Sequence, residues 1–334
     1  MSKEVKIGIL GATGVVGQEM MKILDERNFP VASLRPIASG RSAGKTLRFR
    51  GEDVTIVEAS DSAFDGLDIV LGAAENNIAE RFAPSIVRAG ATFVDNSSAF
   101  RLDPKVPLIV PEINPEDVAW HSGIISNPNC TTIITMVAVA ALAKESPIET
   151  IIASSYQAAS GAGKAGLDEL KAEALAYAKG ETVEPHAFAY QLAFNVIPQI
   201  GGEQYMGYTS EEMKMQNEGR KILHLPEMNV SCTCVRVPVF RSHSVSVVLR
   251  TKEKISVERA RELIAAAPGA KLVDDLGNKV YPMPLDTSDQ DIVFVGRIRE
   301  DLTDPNGLNL WCCGDQIRKG AATNTVQIAE LLLH

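Results

Sequence analysis

An apolar strand that runs straight into spaced glycines and then into an amphipathic helix leaves few folds open to a chain. The stretch VKIGILGATGVVGQEMMKILDERN, residues 5–28, has that form. A strand with apolar residues on both faces belongs inside a parallel sheet covered on both sides. Gly11, Gly14 and Gly17 follow it with the spacing G-x-x-G-x-x-G. Glycines at that place permit a tight turn and close backbone approach, and the first amides of the next helix point at whatever anion lies beyond them. Short apolar runs recur at VASLRPIAS, DVTIVEA, LDIVLGAA and ATFVDNS, with a helical NIAERFAPSIVRAG between the last two. The spacing predicts a mostly parallel, doubly wound sheet.

This N-terminal α/β part, Rossmann-type in its strand–glycine–helix opening, is expected to span residues 1–129. Beyond it the texture changes. A very apolar helix follows Cys130, then a strand at TIIASSYQ, a helix from about Ala165 to Lys179, and another through SEEMKMQNEGRKIL. Longer alternating strands come next, CTCVRVPV and HSVSVVLRT, which look like an antiparallel sheet with helices on one face. Residues 130–315 thus form an α+β second domain. The C-terminal helix, within 316–334, is expected to return to the first domain.

The run TTIITMVAVAALA is too short to span a bilayer. MSKEVKIGILGATG does not read as a signal peptide. A net charge of −9 gives no reason to expect nucleic acid or an anionic membrane as partner. The expected setting is cytoplasmic. Five cysteines without a secretion signal argue against a disulfide scaffold. Cys232 and Cys234 alternate onto one strand face, and Cys312 and Cys313 are adjacent; neither pair has metal-ligand spacing, so no metal is expected.

Three stretches carry chemistry. An NAD-preferring site places an acid after the second strand for the ribose hydroxyls. No acidic residue occurs from Arg27 to Gly51, while Ser39, Arg41 and Ser42 can donate to a 2′-phosphate, so the expected cofactor is NADP. SGAGKAG, residues 160–166, lacks the first glycine and the hydroxyl residue of a P-loop and is not one. In SNPNCTTII, Cys130 sits where a turn gives way to a helix, whose N-terminal dipole favours a thiolate and whose amides can hold an oxyanion. Against a nucleophile stands an ordinary core cysteine. In VRVPVFRSH, Arg236, Arg241 and His243 lie within eight residues, a grouping suited to an anionic substrate and a base.

Taken in order, GATGVVGQ, SGRSAGK, DNSSAFR, SNPNCTT, SYQAASGAG, EEMKMQNEGRKIL, VRVPVFRSHS and GDQIRKGAATN resemble the motifs of the aspartate-β-semialdehyde dehydrogenases, in the bacterial form with SNPNC. The resemblance implies an NADPH-dependent reduction of L-aspartyl-β-phosphate to the semialdehyde, within the biosynthesis of lysine, threonine and methionine. It implies Cys130 as thioester nucleophile, His243 as acid/base and Gln157 as orienting residue. It gives Arg236 the substrate carboxylate, Glu211 the amine, and Lys214 and Arg101 the phosphate. Gly11, Thr13, Gly14, Val15, Val16, Ser39, Arg41, Ser42, Ser160, Gly161 and Gln316 fall to NADP. The second domain becomes catalytic and dimerising, in a homodimer or homotetramer. The nearest rival is N-acetyl-γ-glutamyl-phosphate reductase, which needs no acid at Glu211; a non-catalytic dinucleotide-sensing regulator would need neither Cys130 nor His243.

Overall fold

A computed structural model describes residues 4–333. The outermost limits of the expected domains, residues 1 and 334, lie outside them. The chain divides into two compact units, Met1–Asn129 with Ala321–His334, and Cys130–Gly320.

The first unit is a six-stranded parallel sheet. Its elements run β1 (Val5–Leu10), α1 (Val15–Glu26), β2 (Val31–Ala38), β3 (Thr46–Phe49), β4 (Glu52–Thr55), β5 (Val57–Glu58), β6 (Ile69–Gly72), α2 (Asn76–Arg88), β7 (Thr92–Asp95) and β8 (Ile124–Ser126). The sheet order is β5-β2-β1-β6-β7-β8, and β3 and β4 form a separate hairpin. The single strand expected at DVTIVEA is therefore two short ones, of which only β5 joins the sheet. Five of the six residues in β1, and all of β6, are buried apolar or glycine positions between helical layers. The C-terminal helix (Thr323–Leu331) follows a π-helical turn at Arg318–Ala322. Its Val326, Ile328 and Ala329 join Ile7, Ile9, Met20 and Leu24 in one core cluster. The chain rejoins this unit at Ala321 rather than at residue 316.

The second unit runs α3 (Cys130–Glu145), β9 (Ile148–Gln157), α4 (Gly163–Lys179), β10 (Glu203–Tyr205), β11 (Tyr208–Thr209), α5 (Ser210–Leu223), β12 (Asn229–Arg236), β13 (His243–Thr251), α6 (Val257–Ala266), β14 (Ala270–Leu272), β15 (Val293–Glu300) and β16 (Gly307–Gly314). Its main sheet, β12-β9-β13-β16-β15-β14, is mixed, not antiparallel throughout. The β12–β9 and β14–β15 pairs are parallel. The reason is connection length: β9 reaches β12 only through α4 and α5, a crossover of the kind parallel neighbours require. Helices α3, α5 and α6 cover one face, where Ile151, Ala153, Val245, Val247, Leu308 and Leu310 are buried. On the other face Ile152 and Tyr156 are exposed, and Tyr156 lies 5.4 Å from Trp311, ring centre to ring centre. Among the described residues no helix is long and apolar enough to cross a membrane, and no cluster of side chains could hold a metal ion.

Candidate active site

Strand register assembles the site at one end of the second sheet. Gln157 and Arg236 end the parallel strands β9 and β12 and sit side by side. His243 begins β13, which runs antiparallel to β9, and so arrives at the same end. Cys130 is the first residue of α3, on the helix-covered face of that sheet, as a helix start at the NPNC turn predicts.

Arg236 is buried yet forms no ion pair with any described residue. Its Nη1 donates to the Ala158 carbonyl at 2.7 Å, and its guanidinium lies 5.7 Å from the Phe188 ring centre. Burial pushes its acidity in the direction of losing the proton, while Cys130 and Glu211 pull the other way through their charge. A buried cation held only by a carbonyl and a ring face has capacity left for an anion. It lines a cavity of about 300 Å³ with Phe188, Tyr190, Ile197 and Gln199.

His243 is fully buried, and burial followed by the nearby Arg236 charge pushes its imidazole down to about 3, so the ring is neutral at physiological pH. Nδ1 accepts the Ala158 N–H at 3.0 Å. The neutral ring therefore carries its proton on Nε2, which has no hydrogen-bond partner among the described residues. The residue expected to serve as a base is thus set up as a donor. To accept a proton at Nε2 it would first have to break the Ala158 bond.

Glu211 and Lys214 lie on the first turns of α5, which opens with a reciprocal capping box between Thr209 and Glu212. The Glu211 carboxylate takes Gln157 Nε2 at 3.3 Å and Lys214 Nζ at 2.8 Å. This is no solvated surface pair, since Glu211 is only 9% exposed and is joined to the site through Gln157.

Two glycines make room. A Cβ at Gly161 would stand 2.6 Å from Arg236 Nη1 and 3.4 Å from His243 Nε2, and one at Gly320 would stand 2.9 Å from Cys130 Cβ. Gly320 escaped the sequence reading. Its signal was a glycine inside a helical run, where it weakens the helix unless something must approach closely. Ser242, just ahead of His243, has a left-handed backbone with φ of 74°. The Gln316 carboxamide holds it by accepting the Ser242 N–H at 2.8 Å and donating to the Ser160 hydroxyl. Gln316 and Ser160, expected at the cofactor, are bonded to each other here.

Arg241 is not free for substrate, as its place in the cationic grouping had suggested. It pairs with Asp315 at 2.6 Å and Asp289 at 2.8 Å. Arg101, in the first unit, directs two guanidinium nitrogens to the carbonyls of Asn127 at 2.9 Å and Asn96 at 2.6 Å, and so braces the NPN segment.

In the first unit the glycine turn fits a dinucleotide's phosphates. Gly11 has φ of 87° and its Cβ position is blocked by the Ala73 carbonyl at 2.5 Å, while Gly17 packs on the Gly11 carbonyl. Helix α1 starts at Val15 with no side chain capping it, which leaves its first amides open to an anion. Thr13 gives its carbonyl to Gln18, and Val16 follows in the first turn. After β2, Ser39 and Ser42 close a turn around the exposed Arg41. The acid-free window is not acid-free in space. Glu58 on β5 is abreast of Ala38, and its carboxylate lies 2.7 Å from where a Gly40 Cβ would be.

The chain matches the model of the semialdehyde dehydrogenase NAD binding domain over residues 6–121 and that of the semialdehyde dehydrogenase dimerisation domain over 139–319. It is 50% identical to an aspartate-semialdehyde dehydrogenase of Synechocystis, covering 100% of this chain and 98% of that one, and 44% identical to that of Bacillus subtilis, covering 99% and 98%. Aspartate semialdehyde dehydrogenase II of Vibrio cholerae, in a crystal structure complexed with ASA, superposes with a TM-score of 0.95 at 42% identity over 99% of both chains.

Proposed function

This chain belongs to the aspartate-semialdehyde dehydrogenase family, and on that premise we propose that it reduces L-aspartyl-β-phosphate to L-aspartate-β-semialdehyde through a thioester on Cys130. The observation that carries the reading is the buried Arg236 guanidinium, without an ion pair among the described residues, facing a small cavity and coupled by charge to Cys130. It suits a substrate carboxylate. Glu211, buried and paired with Lys214, suits a free amine rather than an acylated one, with Gln157 between them as the orienting amide.

The helix N-terminus and the Arg236 charge favour a thiolate at Cys130. Its sulfur attacks the acyl carbon of the substrate, the C–S bond forms, and the C–O bond to phosphate breaks with the electron pair leaving on phosphate. Lys214 and Arg101 are assigned to that phosphate. His243 Nε2–H then steadies the oxygen of each tetrahedral centre as an oxyanion donor. The bound dinucleotide supplies the hydride that reduces the thioester. When the C–S bond of the second tetrahedral centre breaks, the thiolate returns and the aldehyde leaves.

The glycine turn of Gly11 to Val16 would hold the cofactor's phosphates, and Ser39, Arg41 and Ser42 would hold the 2′-phosphate of NADP. Ser160, Gly161 and Gln316 are assigned to the cofactor as well. The open sheet face with Ile152, Tyr156 and Trp311 is the surface proposed for a homodimer. The setting proposed is the cytoplasm.

The test is phosphate-dependent NADP⁺ reduction with aspartate semialdehyde, against N-acetylglutamate semialdehyde. Glu211→Gln removes one member of a buried charge set, a change of about 2–5 kcal/mol, or at least about thirtyfold in kcat/KM. Less than threefold, or equal use of the acylated substrate, would return the assignment to the acylated-substrate rival.

A further inference from the structure

Between α4 and β10 the chain runs from about residue 181 to 202 without helix or strand. Its backbone donors go to two carboxylates that sequence reading did not single out. Glu169 and Glu173 stand one turn apart on α4, both buried. Glu169 accepts the N–H groups of His186 and Ala187 at 2.6 Å each and of Phe188 at 3.1 Å. Glu173 accepts those of Leu192 at 3.0 Å and Ala193 at 2.8 Å. Five amides of an irregular segment are thus answered by two side chains of one helix face. Leu192, Ala193, Ile197 and Phe188 then pack on Leu170 of the same helix.

The held segment is also the wall of the substrate cavity. Phe188 supplies the ring beside the Arg236 guanidinium, and Ile197 exchanges both main-chain hydrogen bonds with Arg236, at 3.0 and 2.9 Å. Neutral amides satisfy both carboxylates, so neither competes as a counterion for Arg236. For Glu169, burial raises the carboxyl but the three amides outweigh it and hold it below its usual range.

We propose that Glu169 and Glu173 are positioning residues for substrate recognition: by clamping segment 186–193 they set Phe188 over Arg236 and shape the cavity in which that guanidinium meets the substrate anion. The proposal rests on the reading of Arg236 as the carboxylate site.

Glu169→Gln keeps the side chain's shape but turns an NH2 group toward backbone donors. In the full chain the expected result is a KM for aspartate semialdehyde raised at least tenfold. kcat should change less than threefold, the KM values for phosphate and NADP⁺ should hold, and amide exchange across 186–193 should quicken at least tenfold. A merely structural role would lower the fraction of active enzyme and leave KM alone. A KM within threefold of wild type, or unchanged exchange, overturns the clamp. Arg236→Lys in parallel separates the two ideas. If it leaves KM unchanged, the carboxylate reading falls, and the clamp's role in recognition falls with it; if it raises KM while Glu169→Gln does not, the clamp falls alone. Should Glu169→Gln fail to fold, Phe188→Leu, with its amide still held, should raise KM at least threefold, and no rise would overturn the proposal equally.

Discussion

Gly161→Ala tests how tightly the site is built, because it adds one methyl and changes nothing else. Gly161 does not have a positive φ, so alanine brings no backbone strain of that kind. What it brings is a carbon 2.6 Å from Arg236 Nη1, where ordinary contact begins at 3.4 Å. The guanidinium would have to retreat by about 0.8 Å. It cannot do so freely, since the Ala158 carbonyl, the Phe188 ring and the walls of a buried site hold it. His243, with ring atoms 3.3 and 3.4 Å from the same point, is fixed from behind by the Ala158 amide. Overpacking of this kind lowers stability by about 1–3 kcal/mol. Displacing a positioned group by about 1 Å costs on the order of a hundredfold in rate. The expected outcome is a fall of about thirty- to a hundredfold in kcat/KM for aspartate semialdehyde, in a protein that remains folded at assay temperature. Steady-state kinetics and a denaturant melt measure both. If kcat/KM falls less than threefold, the site yields where the structure says it is rigid. If only dinucleotide affinity falls, Gly161 serves the cofactor and not Arg236.

Two further expectations follow from charge. Arg41→Ala should weaken NADPH binding at least tenfold by calorimetry and leave NADH unchanged, whereas Glu58→Gln, which removes the carboxylate beside Gly40, should strengthen NADPH; equal effects on both cofactors would refute the pair. For His243, whose folded value of about 3 lies below the ordinary 6.5, the unfolded chain binds a proton between those limits that the folded chain refuses. Stability is therefore greatest above pH 6.5 and falls as pH drops toward 3, by at most about 1.4 kcal/mol per pH unit from this residue. Urea melts at pH 7 and pH 5 should show wild type losing about 2 kcal/mol more than His243→Gln, and equal losses would show that the ring is protonated inside the fold.

Much of this was legible in the residues because it is local. The apolar run of β1 ending in Gly11 can hardly be anything but a buried strand and turn, and Thr209 with Glu212 announces the start of α5 in four letters. Cys130 falls at a helix N-terminus because Asn-Pro-Asn cannot continue a helix into it. What escaped depends on partners distant in the chain. Arg241 looked available until Asp289 and Asp315 came round to it. Glu58 entered the ribose-side loop through parallel pairing with β2, which no window of neighbouring residues reveals. The mixed order of the second sheet also lies in its crossovers rather than in strand composition, and the clamp of Glu169 and Glu173 reads from sequence as two surface acids on an amphipathic helix.

The five thiols are unequal in a way that bears on damage. Cys232 is held protonated by its contact with Cys234 and by burial, and Cys312 and Cys313 by burial. Cys234 is 1% exposed. Cys130 alone is partly open, and it begins a helix. Oxidants attack thiolates that they can reach. Peroxide should therefore silence this protein one molecule at a time at a single sulfur, leaving the fold and the four interior thiols intact. Lost activity would then count sulfenic acid at residue 130, and a reductant applied before further oxidation would restore what was lost.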